Sequence, residues 1–438
     1  MNAGRPPAPA AGSTAAPDST TTERPQPAPA ADKPRGFAAL HSRYFRLLWI
    51  GLFVSNSGTW MNSTAQGWLV TDLDPDGAAK ALGMIAAAFA VPMLVLPPLG
   101  GAVADRVSRL RLLFVVQCLY VVLTSLLAVI TLTDRIEIWM LMVFSFFNGV
   151  VLAFDAPCRN ALVPDLVTPR QLTSAISLNS AAFTGAALIG PALAGGLIPF
   201  VGVGGVFAIN TATYVAVFWA LLQLRGVPLI GQRRSSPDGV VRSIGHGIDY
   251  VRRSPLLLGL LTVSIITGVF GRSFGPLLAV FARDVFDVGS LGFGVLVAAP
   301  GLGTLCGAIG LAAIGDLERR GRWIWRAAMI FAVALLGIAL SGIYVVALPL
   351  LVLVGLFSTV ASALIATLIQ LHAPAELRGR LLSFYSLTVI GVPSAGALIS
   401  GTVADATGVR AAVGGGAVLV MALVSLTFIR NRAIRSAT

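Results

Sequence analysis

From about residue 41 onward the chain is a succession of long apolar runs separated by short polar joints. A helix needs ~20 residues to cross the ~30 Å hydrocarbon core of a bilayer. Twelve runs reach that length, at approximately 45–70, 81–103, 111–132, 138–157, 177–199, 204–224, 256–281, 291–314, 325–344, 346–370, 381–403 and 411–429. Their interiors are rich in Gly and Ala, which lets helices approach closely where lipid supplies no hydrophobic force between them. The pattern predicts an all-α membrane protein with twelve transmembrane helices.

The longest joint, Arg225 to Pro255, lies between the sixth and seventh runs and carries six arginines. Within it Val240, Ile244, Ile248 and Val251 recur at helical spacing, with Arg242, Arg252 and Arg253 off that stripe. This fits an interfacial amphipathic helix, and equally a plain basic linker. Either reading divides the chain into a half at 41–224, a cytoplasmic linker at 225–255 and a second half at 256–430, with a short tail at 431–438. The halves echo each other. Asp105, Arg109 and Arg111 are matched by Asp316, Arg320 and Arg322, 211 residues later, and Pro169-x-x-Leu172 by Pro374-x-x-Leu377. Such repetition marks duplicated transporter halves, with a substrate site near the midplane between them.

Residues 1–40 differ from the rest. Met1 to Arg35 is rich in Pro, Ala, Thr and Ser and has almost no large apolar side chain. It reads as a disordered cytoplasmic tail. It lacks the apolar core of a signal peptide, so the first run is expected to act as its own insertion signal.

Charge supplies the orientation. Only 11% of residues are charged, against roughly 25% in a soluble domain, so most of the surface faces lipid. The net charge is +12, and of the 31 Lys and Arg all but Lys80, Arg135, Arg272, Arg283 and Arg410 fall on one side of the alternating joints. By the positive-inside tendency that side is cytoplasmic and holds both termini. The basic excess is then matched to anionic lipid headgroups, and without an aromatic-plus-basic stripe it does not indicate nucleic acid. The three cysteines and three histidines are scattered, so neither a disulfide framework nor a metal site is expected. No nucleotide-binding glycine loop is present. An enzyme is disfavoured, and no cofactor is expected.

The strongest local motif is Gly101-x-x-x-Asp105-Arg106-x-x-Arg109-x-Arg111. Its glycines suit close helix packing, Asp105 suits a helix amino terminus, and the arginines suit headgroups or acids of the other half. It resembles motif A of the major facilitator superfamily. The segments Phe45-Arg46-x-Leu48-Trp49, Ser55-Asn56-x-Gly58-Thr59-Trp60-Met61 and Ala65-Gln66-Gly67-Trp68-Leu69 are similar to the first span of the enterobactin-exporter-like, or transmembrane secretion effector, branch. Asp155-Ala156-Pro157-x-Arg159-x-Ala161-Leu162-Val163-Pro164-Asp165 and Leu377-Arg378-Gly379-Arg380-Leu381-Leu382-Ser383 resemble later segments of the same branch. The resemblance implies a twelve-helix major facilitator fold in two six-helix halves, a bacterial inner membrane, and proton-coupled export of drugs, siderophores or other secondary metabolites. Gly190-Pro191 with Gly195-Gly196 is similar to the exporters' motif C but has a longer gap, and it reads equally as a Gly/Pro kink.

Every one of the 19 Asp and Glu lies in a tail, a joint or near a span end. A midplane acid is a frequent proton site. The nearest substitute is Asp155, at the inner end of the fourth span. It can pair with Arg159 a turn away, or with Arg106 or Arg109 across the joint, as a gate lock or as a static ion pair. Arg272 is the one clear charge within a span. It either snorkels outward or faces the cavity as an attractor for anions. Further cavity candidates, on the spans that line such pores by family analogy, are Asn56, Trp60, Gln66, Phe147, Asn148, Phe274 and Ser362. Each fits interhelical bonding or packing as well. The functional expectation is a monomeric secondary exporter of a small amphipathic molecule by proton antiport. The alternatives are an importer of the same fold and a non-transporting receptor.

Overall fold

The computed structural model describes residues 4, 37–97, 99–100, 103, 107–224, 249–315, 317–374 and 377–437. Ten helical stretches among them are long and apolar enough to cross a membrane. Two further crossings do not count themselves. Helix α1 (Arg43–Leu73) is long enough but polar, because Ser55, Asn56, Ser57, Thr59, Asn62, Thr64 and Gln66 lie along it. Ser55, Ser57, Asn62 and Thr64 are buried inside the bundle, and hydroxyls turn back on their own helix, as in Ser57 Oγ to Phe53 O at 2.8 Å and Thr64 Oγ1 to Trp60 O at 2.9 Å. Much of that polarity is therefore kept from lipid. The second is hidden by continuity. The fifth and sixth runs form one unit, α5 (Leu172–Gln223), which keeps helical angles through Pro191 and Pro199 and breaks at Gly202, φ 68° and ψ 174°. Only a residue without Cβ takes that backbone freely. With these two, the described helices are compatible with the twelve predicted crossings.

The other helices of the first half are α2 (Ala78–Val95), α3 (Arg109–Leu132) and α4 (Ile138–Leu162). The seventh crossing begins as α6 (Pro255–Ile266), with Ser254 as cap and Pro255 at its first position. It does not continue as a regular helix. A wide π turn at Thr267–Gly271 passes into a tight 3-10 stretch at Arg272–Leu277, and a second π turn follows at Phe281–Val285. Gly268, Gly271, Gly275 and Pro276 crowd this stretch. They loosen the regular ladder, and Pro276 removes a donor from it. After it come α7 (Ser290–Ile314), α8 (Arg320–Leu340), α9 (Tyr344–His372), α10 (Arg378–Thr407), α11 (Val409–Arg430) and the short α12 (Arg432–Ser436). The sequence repeat has a structural counterpart: α3 begins at Arg109 and α8 at Arg320.

Helices α2 and α10 form one seam between the halves, and α5 and α7 form the other. Both seams are glycine contacts. A Cβ on Gly83 would sit 2.6 Å from the Ala397 oxygen, and one on Gly294 would sit 2.5 Å from the Pro191 oxygen and 2.9 Å from Gly195 Cα. The hydrogen bonds across the halves lie at the face away from the basic joints. Ser290 Oγ donates to Gly195 O at 3.2 Å, and the Arg283 guanidinium donates to Thr71 O. Trp68 packs on Phe293 nearby, ring centroids 5.8 Å apart. That face is closed. Toward the basic face, Ile176, Phe183, Ile309 and Ile314 of the α5–α7 pair remain exposed.

At the basic face a separate core joins Phe45, Leu48, Leu113, Cys158, Leu162 and Leu178. The end of the expected tail takes part in it. Ala38–His41 forms a 3-10 turn, Ala39 is buried, and its N–H donates to Ser174 Oγ at 3.2 Å. Most of the expected linker, including Val240, Ile244 and Ile248 of the apolar stripe, lies outside the described residues. Val251 is buried, and Asp249 pairs with Arg253 at 2.8 Å.

Candidate substrate and coupling sites

The first half contains a buried polar network centred on α4. At about 100° per residue, Ser145, Asn148, Asp155 and Arg159 share one side of that helix. The i,i+4 spacing brings Arg159 onto Asp155, Nη2 to Oδ2 at 2.5 Å, with the Asp155 side chain 3% exposed. Arg159 Nη1 then donates to Asn56 Oδ1 on α1 at 3.2 Å. The pair named from sequence thus exists, and Asn56 extends it to a second helix. Asp155 Oδ1 and Arg159 Nε make no hydrogen bond among the described residues, and neither does the amide of the fully buried Gln117 on α3. Tyr120 and Tyr214 stack beside this group with centroids 5.0 Å apart, and the Tyr214 hydroxyl shares a 3.0 Å hydrogen bond with Thr59. Burying such groups is costly unless they are paired, and here the pairing is incomplete.

The other first-half candidates separate. Gln66 Nε2 donates to Ser145 Oγ at 3.1 Å and lies 3.4 Å from Leu141 O, which ties α1 to α4. Trp60 meets Phe183 edge to face at 6.1 Å, and Gly190 leaves room for its Cβ. Asn148 is half-buried. Phe147 is 47% exposed and lies against Phe146, more than two turns before Asp155. The structure does not bring Phe147 to the Asp155 network.

Of the motif at the foot of α3, Gly101, Asp105 and Arg106 lie outside the described residues. Arg111 is exposed. Asp155 pairs with Arg159, one of the partners that the sequence reading allowed. Arg109 pairs with Asp165 at 2.5 Å, and its carbonyl accepts from Cys158 Sγ at 3.1 Å. Asp165 stands in a 3-10 turn, Val163–Leu166, just past α4, and is 4% exposed. Sequence reasoning missed this partner: 56 residues separate the two, and Asp165 entered only as part of a quoted segment. A buried acid in an apolar Val-Pro-Asp-Leu turn was the available signal.

In the second half Arg272 turns inward, which sets aside the snorkelling alternative. Its Nη1 lies 3.5 Å from Ser362 Oγ on α9, while its buried Nε makes no hydrogen bond. It has no ion-pair partner among the described residues. The Tyr385 hydroxyl of α10 donates to the Ser362 carbonyl at 2.7 Å and fixes that turn. Arg272 and Ser362 line a small recess of about 20 Å³ with Thr267, Phe331, Phe357 and Ser358. Phe274, two residues on, is buried in the main apolar core and does not line this recess. No cluster of metal-ligating side chains occurs among the described residues.

The chain is similar to several curated transporters over most of its length. It is 26% identical over 361 residues to the staphyloferrin A transporter of Staphylococcus aureus, covering 80% of this chain and 87% of that one. It is 25% identical over 380 residues to the multidrug efflux pump Tap of Mycolicibacterium fortuitum, covering 83% and 90%. Macrolide efflux protein A of Enterococcus faecalis is 24% identical over 245 residues, 56% of this chain and 75% of that protein. Among solved structures, an inward-facing, occupied bacterial homologue of the human lysosomal transporter Spinster superposes with a TM-score of 0.72 at 13% identity, covering 89% and 97%. A likeness at that identity shows the fold alone. The sequence model described as transmembrane secretion effector matches residues 35–437, and the chain therefore belongs to that family of major facilitator transporters.

Proposed function

We propose that the protein is a secondary active exporter of a small amphipathic molecule, a drug, siderophore or other secondary metabolite, driven by proton antiport through alternating access. It works as a monomer in a bacterial inner membrane, with both termini and the basic face in the cytoplasm and Arg111 and Arg322 against anionic headgroups. The observation that carries this reading is the Asp155–Arg159–Asn56 network, a buried acid whose partner bonds across two helices. Protonating Asp155 would release Arg159 and loosen α4 from α1 near the basic face. The face that is closed, at Arg283–Thr71 and Ser290–Gly195, is then the external one. The arrangement is the state that loads from the cytoplasm. Relatives named for efflux support the outward direction. In this scheme Gly101, Asp105, Arg106, Arg109 and Arg111 act in switching and do not touch substrate.

The test uses inside-out vesicles containing the full chain and a fluorescent amphipathic dye. An acid interior should drive dye accumulation, and collapsing the pH gradient should abolish it. Asp155→Asn should lose this gradient-driven uptake yet keep dye counterflow, which needs no net proton movement. Accumulation only when the interior is alkaline would overturn the direction. Undiminished gradient-driven uptake by a well-expressed Asp155→Asn would remove Asp155 from coupling.

A further inference from the structure

The Arg272 recess has a chemistry that transport in general does not require. A guanidinium carries five donors in a planar fork. Here one of them makes a single long contact to a hydroxyl, Nε makes none, and among the described residues no carboxylate pairs with it. The neighbouring groups are neutral. Ser362 is on the same α9 face, Ser358 lies one turn before it, Thr267 is in the π turn, and the Tyr385 phenol behind is committed to the Ser362 carbonyl. The second-half acids Asp284, Asp287, Asp316, Glu318, Glu376 and Asp405 all lie in joints or at span ends. A buried charge with no partner is among the most expensive features a protein interior can hold. Arg also matches planar, two-oxygen anions better than point charges. The remaining walls are apolar and aromatic, with Val263 of α6, Ala328 and Phe331 of α8, and Phe357, Ala361 and Ile365 of α9.

We propose that this recess is a subsite for the carboxylate of an amphipathic, aromatic-bearing substrate, held by Arg272 with Ser358 and Ser362 beside it. The proposal rests on the transporter reading and adds the charge class of what is carried. The irregular backbone of the seventh crossing is part of the device. A regular helix would point position 272 elsewhere, whereas the π-to-3-10 transition at Gly271–Arg272 directs it toward α9.

The experiment is equilibrium dialysis of the purified full chain with 1-naphthoate and its neutral isostere 1-naphthamide. The wild type should bind naphthoate at least about tenfold more tightly, the scale of one charge-assisted hydrogen-bonded contact. Arg272→Gln should abolish that preference, while Arg272→Lys, which keeps charge without the fork, should retain part of it. Equal binding of the two probes by wild type, or an intact preference in Arg272→Gln, would overturn the proposal. Should Arg272→Gln not yield monodisperse protein, Ser362→Ala is read in its place. It should weaken naphthoate severalfold and naphthamide not at all, and no change would count against the site. Complete displacement of naphthoate by excess chloride would make this an inorganic-anion site. Displacement by phosphatidylglycerol and not by phosphatidylcholine would make it a lipid-headgroup site. Either result overturns the carboxylate assignment. Because binding is read without a gradient, failure here leaves the export reading standing, and failure of gradient-driven transport leaves this result standing.

Discussion

Gly294→Ala should shift the conformational equilibrium away from the closed state described above. The added Cβ would lie 2.5 Å from Pro191 O, 2.9 Å from Gly195 Cα and 3.1 Å from Gly195 N. All three are backbone atoms of α5, so no side chain can swing aside, and relief requires α5 and α7 to part. Overpacking of this kind costs about 1–3 kcal/mol. The clash exists only where the halves meet, so the cost falls on the closed state, and its population should drop about 5- to 150-fold relative to the state open at that face. The direct readout is a spin-label distance between Asp76→Cys and Asp287→Cys, on joints of the two halves at the closed face, with the exposed Cys118 and Cys306 changed to serine. A longer distance should grow in at the expense of the short one. Gly289→Ala is the control, since nothing lies within 4 Å of a Cβ placed there, and it should leave the distribution alone. An unchanged distribution in a folded Gly294→Ala protein would refute the assignment of this seam as a switching contact.

Two further outcomes follow. Arg159→Gln leaves the buried Asp155 without its partner and should destabilise the protein by about 3–5 kcal/mol; adding Asp155→Asn should restore most of that in a thermal melt, and a double variant no better than the single would show that the pair is not coupled. If a carboxylate leaves as a proton enters, two charges cross per cycle, so a potential negative inside should favour export by about 4.6 kcal/mol per 100 mV. In proteoliposomes, flux of a carboxylate dye that does not respond to a valinomycin-set potential would contradict that charge count.

The fold was readable because lipid imposes a length and composition rule on every crossing. The boundaries read from apolar runs agree with the helices to a few residues, as for 291–314 against Ser290–Ile314 and 346–370 against Tyr344–His372. The same rule understates α1, whose polarity is compensated by neighbours that a composition window does not see. The repeat was readable as well: the Arg109 and Arg320 equivalence survives as two helix starts. The irregular seventh crossing was less so. Its Gly and Pro content was visible, but those residues permit a π turn without dictating one, and Pro191 and Pro199 pass through α5 with no break.

For the candidate sites the limit is direction. Asp155 and Arg159 were readable as a pair because four residues on one helix fix both spacing and side. Contacts between helices carry no such rule. Nothing in the spacing of Asn56 and Arg159, or of Arg109 and Asp165, brings them together; only the packing of α1 on α4, and of the foot of α3 on the turn after it, does so. Phe147 and Phe274 show the same limit from the other side, since both stand on crossings expected to line a cavity, yet one is largely exposed and the other is sealed in the core. Arg272 is the instructive case. A lone arginine in an apolar run announces a charge that must be reconciled with its surroundings, but the run is compatible with an outward reach to headgroups or an inward reach to a ligand. The backbone irregularity that decides between them is a tertiary result, fixed where Gly271 packs against the ring of Phe331. The first half holds Asp155 and Arg159 together, while Arg272 of the second half has no acid paired with it among the described residues. In the proposed scheme that asymmetry gives proton exchange to the first half and anion recognition to the second, and the close glycine contacts of the two seams lie between them.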